Sequence, residues 1–250
     1  MNPMEDKQFY EKTGAVNGWD FSHIQVTTEG KRWDFFGEVA HRCRKSDLLL
    51  DIGTGGGERL LTITDSALLL IGIDHSQAMI RTADMNRHKA GKSNVRFLHM
   101  EAEAIAFPDG FFNLVSCRQS FYSAQETARV LVQDGLFLTQ QVSPHDKLNL
   151  KQAFGRGQGL ETNAADLRER VLSELEEVGF SDIRYNEYDA AEYYPSYEDL
   201  DYLLQMTPII PGFGEQENDR TILREFCEKN RTGKGIRTNS KRFMIAAVKK

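Results

Sequence analysis

The sequence has few cysteines and no long apolar segment. Its three cysteines, Cys43, Cys117 and Cys227, are far apart and form no CxxC pair, so we expect neither a disulfide framework nor a metal site. No apolar run approaches the roughly 18 residues that span a bilayer. The polar first residues lack the apolar stretch of a secretory signal. These absences predict a soluble, cytoplasmic protein that does not associate with membranes.

Positive charge is also in short supply. The 250 residues carry a formal net charge of -6, whereas binding to a polyanion needs a surplus of Lys and Arg. The charge therefore disfavours nucleic acid as a partner. From Lys229 to Lys250 every charged residue is basic, and from Glu187 to Asp201 every charged residue is acidic. We interpret these stretches as two solvated surfaces of opposite sign.

Apolar runs alternate with helical patterns along the chain, which predicts an α/β fold. Runs typical of buried parallel strands lie at 48–52, 68–73, 95–100, 114–118 and 136–142, and two further strands are predicted at 183–188 and 242–248. Helices are predicted at 76–89, 124–132, 167–178 and 219–229. The pattern favours a Rossmann-like, seven-stranded, mostly parallel sheet with helices on both faces and an antiparallel last strand.

A glycine-rich turn, Asp51-Ile-Gly53-Thr-Gly55-Gly-Gly57, follows the first of these strands. Glycines allow positive φ and let a ligand approach the backbone closely, and the start of the following helix would add unpaired N–H groups. Asp51 places a carboxylate where an ammonium group is favoured. A dinucleotide fingerprint fails, because Glu58 stands at its third glycine and would repel a pyrophosphate. The turn therefore predicts a different ligand.

Asp74 ends the next strand, at about the 20-residue spacing that lets a carboxylate reach ribose hydroxyls. Taken alone, Asp74 is equally compatible with an ordinary role in capping the following helix. Coming after the Asp51 motif, it indicates that a nucleoside is recognised.

Four blocks, in order, resemble the class I S-adenosylmethionine-dependent methyltransferases, particularly the methyltransferase type 11 subgroup that includes ubiquinone and menaquinone biosynthesis enzymes. Residues 51–57 are similar to that family's D-x-G-x-G-x-G, and residues 72–83 to G-[IV]-D-x-S-x-x-M-[IL]-x-x-A. Residues 101–110 resemble D-A-E-x-L-P-F-x-D-[GN], and residues 128–135 resemble R-V-L-[KR]-P-G-G. The resemblance covers residues 30 to 142. The chain departs from it at Glu101, Ala106, Asn113 and Asp134.

The resemblance implies an enzyme that uses S-adenosyl-L-methionine as cofactor. Asp51 would bind the ammonium group, the glycines would line the methionine moiety, and Asp74 would bind the ribose. His75 and Met79 would flank the adenine, Glu101 and Ala102 would bind its edge, and Arg118 would lie near the methionine end. The implied cofactor-binding residues are Asp51, Gly53, Thr54, Gly55, Gly57, Asp74, His75, Met79, Glu101, Ala102, Glu103 and Arg118.

Within this single methyltransferase domain, residues 1–28 are predicted to form an N-terminal cap segment and residues 29–189 the cofactor-binding core. Residues 190–240 form a cap insertion, and residues 241–250 supply the last strand. The insertion is not needed for a minimal sheet. We expect both cap segments to cover the active site and select the substrate, because variable segments on a rigid scaffold commonly do so.

The predicted reaction is an in-line displacement on an activated sulfonium methyl group, in which the enzyme mainly aligns the reactants. A general base is optional, and the candidates are His23, Tyr122 and His145. We expect a small-molecule acceptor, for which Tyr193 and Tyr197 are candidate contacts in an acidic, tyrosine-rich segment.

Three alternatives remain open. The basic run at 229–250 is compatible with an RNA or protein methyltransferase, although no N/D-P-P-Y/F follows the fourth strand. A non-catalytic S-adenosylmethionine-binding protein is a second alternative, with the cap as a sensor or partner surface. A nicotinamide oxidoreductase is disfavoured by Glu58 and by the Glu101 and Glu103 pair. The chain is compatible with a monomer or a homodimer.

Overall fold

A computed structural model describes residues 24–250. Most of the predicted N-terminal cap segment, with the candidate base His23, lies outside these described residues. Among residues 24–250, no helix has the length and apolarity that crossing a membrane would need.

One mixed, nine-stranded sheet forms the centre of the described part of the chain. Its strands are β1 (Thr27–Glu29), β2 (Leu48–Ile52), β3 (Leu69–Asp74), β4 (Val95–His99), β5 (Phe112–Arg118), β6 (Leu131–Val142), β7 (Phe180–Tyr194), β8 (Arg231–Thr232) and β9 (Gly235–Lys249). The order is β1-β7-β9-β6-β5-β2-β3-β4, with β8 paired to β9. Strands β2 to β6 pair in parallel, and β1, β7, β8 and β9 form antiparallel pairs.

This architecture confirms the predicted α/β fold with a Rossmann-like sheet and an antiparallel last strand. The predicted count of seven strands is wrong, because the short strands β1 and β8 add to β7 and β9. Neither short strand has an apolar pattern, since all their residues are exposed. Nothing in the hydrophobic periodicity indicated them.

Seven α-helices lie in the described part of the chain: α1 (Phe35–Arg42), α2 (Gln77–Ala90), α3 (Ala124–Val130), α4 (Leu148–Phe154), α5 (Ala164–Glu177), α6 (Tyr197–Met206) and α7 (Asp219–Lys229). The predicted limits of α2 are confirmed, because the Ser76 hydroxyl accepts a hydrogen bond from the Met79 N–H and Gly91 ends the helix at φ +63°. The predicted limits of α7 are also confirmed.

The segment after the glycine-rich turn differs from the prediction. We expected an ordinary helix start there, but the chain forms a 3₁₀ helix over Leu60–Ser66 that is kinked at Ile63. Thr62, Ile63 and Thr64 are consecutive β-branched residues, which lose side-chain freedom in an α-helix. The backbone around the turn is therefore set mainly by the glycines and by the strands.

Two apolar clusters cover the two faces of the sheet. Leu50 and Val115 belong to one cluster, with α3 and α5, whereas Leu49 and Leu114 belong to the other, with α1 and the 3₁₀ helix. Successive residues of a strand point to opposite faces, so strands rich in leucine and isoleucine can fill both clusters. We call the face that carries Leu49 and Leu114 the α1 face.

A third apolar cluster lies outside these two layers. It joins α4, α6 and α7 through Leu150, Leu200, Leu204, Leu223 and Phe226, all of them buried. We call this group the cap helices. Strands β7 and β9 lead into it, because both are 15 residues long and extend beyond the end of β6 at Val142. Both strands are longer than predicted, since their outer halves lack a continuous apolar run.

The acidic and basic stretches are neighbouring strands rather than separate surfaces. In the pairing of β7 with β9, Asp189 lies opposite Lys241. Lys147 also forms an ion pair with Glu192 of β7, and Arg242 pairs with Asp146. The interpretation of two independent solvated surfaces is therefore corrected: part of the contrast in charge is compensated within the fold.

Candidate active site

The sheet reverses its strand order around β2, which has β3 on one side and β5 on the other. Carboxyl ends of parallel strands meet at one edge, and a reversal of this kind leaves a crevice there in which α/β proteins bind ligands. Asp51 and the glycine-rich turn lie at the end of β2, Asp74 at the end of β3, and Arg118 at the end of β5. The structure thus gathers the predicted residues at one crevice.

The glycine-rich turn has a backbone that requires glycine. Gly53, Gly55 and Gly57 have φ values of +70°, +57° and +73°, in the left-handed region that other residues disfavour. The N–H groups of Gly53 and Thr54 donate to the Ile73 carbonyl at 2.9 and 3.0 Å. The turn is thereby attached to β3.

Close neighbours add a second reason for glycine at two of these positions. A Cβ at Gly53 would come within 2.2 Å of the Ser120 side chain, and one at Gly57 within 2.4 Å of the Phe97 ring. The loop after β5 and a ring from β4 therefore pack directly on the turn. Close packing of protein against the turn, as well as ligand approach, accounts for its composition.

Glu58 occupies the region where a dinucleotide would need its pyrophosphate. Its side chain folds back over Gly56, because a Cβ at Gly56 would lie 2.1 Å from a Glu58 carboxylate oxygen. The Asn86 amide nitrogen donates to the Gly56 carbonyl at 2.8 Å and to Glu58 Oε1 at 3.4 Å. A fixed carboxylate beside the turn supports the argument against pyrophosphate.

Asp51 is a buried carboxyl group beside the turn. Only 2% of the residue is exposed, and the Ser116 hydroxyl, its register partner on β5, donates to Oδ1 at 2.6 Å. Burial raises the pKa of Asp51 from its ordinary 3.8 to about 6. A cation bound next to this group would favour its charged form and lower the pKa again.

Asp74 links the turn to α2. Its Oδ2 accepts from the Gly55 N–H at 2.9 Å and its Oδ1 from the Ser76 N–H at 2.9 Å. The capping oxygen of α2 belongs to Ser76, so Asp74 is not the cap residue that the alternative interpretation required. Its carboxylate lies at the crevice and shapes the turn.

The residues predicted to contact adenine lie beside the end of β3. The Met100 N–H donates to the Asp74 carbonyl at 3.0 Å, which places the following residues 101–103 there. Glu101 and Glu103 are exposed and Ala102 is half-buried. His75 is half-buried, with Nδ1 3.8 Å from Asp74 Oδ1, and Met79 is buried in the first turn of α2. The structure brings all five residues to the same side of the crevice.

Arg129 was not singled out from the sequence, although it belongs to the fourth block of the resemblance. Its guanidinium donates to the carbonyls of Ile105 and Phe107 at 2.6 and 2.8 Å and pairs with Glu126 at 2.7 Å. Glu126 in turn accepts from the Ile105 N–H at 2.8 Å. This network holds the segment that follows residues 101–103 against α3.

Two departures from the family pattern have structural roles. The Asn113 side chain accepts a hydrogen bond from the Leu48 N–H at 2.9 Å, which joins β5 to β2. Asp134 adopts φ +61°, a conformation that Asp tolerates better than most residues other than glycine.

A polar and aromatic group continues the crevice from Arg118 toward β9. Arg118 pairs in register with Gln140, and Gln140 Oε1 accepts from the Trp33 indole N–H at 2.7 Å. The Trp33 and Tyr188 rings meet edge to face at 4.6 Å, and Tyr188 lies opposite Arg242. Only Arg118 of these was predicted as a site residue. The others are distant in sequence and share no motif.

The remaining candidates occupy different surroundings. Tyr122 packs against Phe137 in the cluster opposite the α1 face, and burial raises the pKa of its phenol well above the ordinary value. His145 is exposed in the loop after β6. Tyr193 lies on β7 one residue out of phase with Tyr188 and Tyr194, hence on the other face of the strand. Tyr197 begins α6, and its hydroxyl donates to Asp201 at 3.3 Å.

Comparison with known proteins relates the middle of the chain to methyltransferases. Residues 50–139 match a family model described as a methyltransferase domain. Over 103 residues the chain is 36% identical to the uncharacterized methyltransferase YcgJ of Bacillus subtilis (strain 168). That match spans 38% of this chain and 41% of YcgJ, so the chain covers about two fifths of that relative's length.

Solved structures extend the likeness in fold over most of the chain. The crystal structure of YcgJ from Bacillus subtilis has a TM-score of 0.59 and 21% identity, covering 86% of this chain and 97% of that one. The [4+2]-cyclase SpnF has a TM-score of 0.63 and 19% identity, with 98% and 95% covered. A functionally unknown protein from Deinococcus radiodurans R1 has a TM-score of 0.63 and 15% identity, with 99% of each chain covered.

The match of residues 50–139 confirms the resemblance to class I S-adenosylmethionine-dependent methyltransferases, and with it the predicted cofactor class. The family match includes Asp51, the glycine-rich turn and Asp74. The neighbours in structure establish the fold alone, and the cyclase shows that this fold also serves other chemistry.

Proposed function

We propose that this protein transfers the methyl group of S-adenosylmethionine to a small-molecule acceptor by in-line displacement. The observation that carries this proposal is the buried Asp51 carboxyl group beside three left-handed glycines, at the reversal point of the sheet. A buried acid with a raised pKa is favoured at a site that receives a cation.

The residues of the crevice fit the cofactor's chemistry. Asp51 would bind the ammonium group, Gly53, Thr54, Gly55 and Gly57 would line the methionine chain, and Asp74 would hold the ribose hydroxyls. The adenine would lie among His75, Met79, Glu101, Ala102 and Glu103, and Arg118 would lie at the methionine end. When bound, the cofactor supplies an activated methyl group on sulfur.

Alignment is the protein's main contribution under this proposal. Orienting two reactants can supply about 7–11 kcal/mol of the barrier when they are held in line. Among the described base candidates, His145 is favoured over Tyr122. Burial raises the pKa of the Tyr122 phenol far above neutral pH, so the phenol stays protonated and cannot accept a proton from the acceptor. His23 remains a candidate outside the described residues.

A small acceptor is supported over RNA by the surroundings of the basic run. Lys234 pairs with Glu29 at 2.6 Å, Lys241 lies opposite Asp189, and Arg242 pairs with the buried Asp146. These cations have acidic neighbours within the fold and form no uncompensated basic surface. Two of the cap helices, α6 and α7, belong to the proposed insertion 190–240, and the cap helices would enclose the acceptor.

The proposal is tested by titrating S-adenosylhomocysteine and NADH into the purified protein and by a methyl-transfer screen with small molecules, total RNA and denatured protein. We expect S-adenosylhomocysteine to bind and NADH not to bind. We expect labelled product from the small molecules and none from RNA or denatured protein. Gly55→Val is the matched control, because valine at φ +57° should distort the turn and remove binding.

Three results would overturn the proposal in different ways. Absence of S-adenosylhomocysteine binding would remove the cofactor assignment. Methylation of RNA or protein alone would replace the acceptor class. Tight binding without turnover across the whole screen would favour a non-catalytic cofactor-binding protein.

A further inference from the structure

Arg118 has an unusual environment for a half-buried arginine. Among the described residues, its guanidinium makes no hydrogen bond or ion pair with any carboxylate or carbonyl oxygen. Arg129, Arg156 and Arg242, which are also shielded from solvent, each pair with a carboxylate at Glu126, Asp219 or Asp146. A shielded charge without a partner is costly, so a ligand is the natural source of the missing anion.

The charges around Arg118 make an anionic partner more necessary. Burial, together with repulsion from Arg59 and Arg242, lowers the pKa of Arg118 from its ordinary 12.5 to about 10. Arg242 already has its own partner in Asp146. Asp51 attracts Arg118 from a distance, but its Oδ1 accepts from the Ser116 hydroxyl and it forms no ion pair with Arg118. The protein therefore leaves the positive charge at Arg118 incompletely compensated.

The cofactor brings no net negative charge that could balance Arg118. S-adenosylmethionine has one carboxylate but two cationic groups, the ammonium and the sulfonium, so its entry adds net positive charge to the crevice. A second anion is needed for balance, and the acceptor is the remaining component of the reaction.

The sheet register shows where such an anion would lie. Arg118 of β5 and Gln140 of β6 are register partners. Gln140 pairs in turn with Met244 of β9, and Arg242 lies two residues before Met244 on the same strand. Tyr188 of β7 lies opposite Arg242. Register partners share a face, as do residues two apart on one strand, so these side chains all project from the α1 face. Asp51 and Ser116 project from it too. Arg118 thus lies between the methionine end of the crevice and the Trp33 and Tyr188 rings.

We propose that the methyl acceptor is an organic acid whose carboxylate is bound by Arg118 and whose apolar body lies against Trp33 and Tyr188. This inference rests on the proposed function. A guanidinium matches a carboxylate with two parallel hydrogen bonds, which a lysine ammonium does not reproduce. The paired rings offer a surface suited to a flat, unsaturated body.

The test uses the full chain saturated with S-adenosylhomocysteine and calorimetric titration with benzoate and cinnamate, each compared with its uncharged amide. We expect at least one acid to bind about tenfold or more tightly than its amide, because an arginine–carboxylate pair would be lost in the amide. Arg118→Met should abolish that preference and Arg118→Lys should retain part of it. Arg81→Met is the control, since Arg81 is exposed on α2.

Binding of S-adenosylhomocysteine separates the two possible sources of a carboxylate. We expect Arg118→Met to bind S-adenosylhomocysteine tightly enough to be saturated with it while losing the preference for the acid over its amide. A loss of affinity for S-adenosylhomocysteine, with retained binding of 5′-methylthioadenosine, which lacks the amino acid, would assign Arg118 to the cofactor and overturn the inference. Equal binding of acids and amides, or no binding of either acid, would also overturn it. A parent protein that fails to bind S-adenosylhomocysteine would instead contradict the proposed function.

Discussion

Replacing Asp51 by asparagine should make the ligand-free protein more stable and its cofactor binding weaker. Burial raises the pKa of Asp51 from 3.8 to about 6, so the folded state holds the charged carboxylate less favourably than the unfolded chain does. A shift of this size, about two pH units, corresponds to about 3 kcal/mol of unfolding free energy. Asparagine keeps the shape without the charge.

The pH dependence has a definite sign. The folded-state pKa is the higher one, so the destabilisation is complete above about pH 6 and disappears as the pH falls below the ordinary value of the unfolded chain. Asp51→Asn should therefore raise the melting temperature at about pH 8, by up to about 10 °C for a chain of this size, and leave it nearly unchanged at about pH 4.

Thermal unfolding followed by circular dichroism at both pH values measures the stability change, and calorimetry at the higher pH measures binding of S-adenosylhomocysteine. Loss of the carboxylate that faces the ammonium group should weaken binding by about tenfold or more. Asp65→Asn is the matched control, because the Asp65 side chain is 89% exposed. It should change neither property.

Two results would refute this reasoning. An equal gain in melting temperature at both pH values would show that the buried charge is not its cause. Unchanged affinity for S-adenosylhomocysteine in Asp51→Asn would show that the ammonium group binds elsewhere, whatever the stability change.

Three further predictions concern the surroundings of the site. Lys147→Met should cost roughly 3–5 kcal/mol in urea unfolding, because it leaves the largely buried Glu192 carboxylate without its cation. Adding Glu192→Gln should recover part of the loss, and additive losses would contradict this coupling. Burial raises the pKa of the Cys117 thiol far above its ordinary value, so iodoacetamide should modify it only after unfolding, as peptide mass spectrometry can measure. Arg129→Met should release residues 105–109 and weaken S-adenosylhomocysteine binding several-fold, with faster amide exchange in that segment; unchanged exchange would oppose the assigned role.

Local sequence signals predicted the inner sheet and α2 correctly. The apolar runs of β2, β3 and β5 identify strands that are covered on both faces, and Ser76 and Gly91 mark the ends of α2 by their own hydrogen bonding and backbone preference. The 3₁₀ helix at Leu60–Ser66 was missed, because its apolar pattern also suits an α-helix and only the crowding of β-branched residues distinguishes the two.

In the site, residues in local motifs were predictable, and residues brought together by distant strands were not. Asp51 and Asp74 were predictable because each lies in a short motif whose strand and turn are encoded locally. Trp33, Gln140 and Tyr188 meet only through the register of β6, β9 and β7 and the packing of the segment before α1. Register depends on pairing between distant strands, which a single sequence does not specify. The residues around Arg118 could therefore be recognised as neighbours only from the structure.

The segment that contains the cap helices α6 and α7 connects the end of β7 to β9, and these two strands pair with each other. Tyr194 lies opposite Ile236, so the chain leaves and re-enters the sheet on adjacent hydrogen-bonded strands. A transplanted insert from another member of the fold would need only these two junctions, together with matching apolar contacts on α4, and would leave β2 to β5 untouched. Under the proposed function, acceptor preference and methyl-donor binding can be inherited separately, and chimaeras joined at Tyr194 and Ile236 offer a direct way to exchange one while keeping the other.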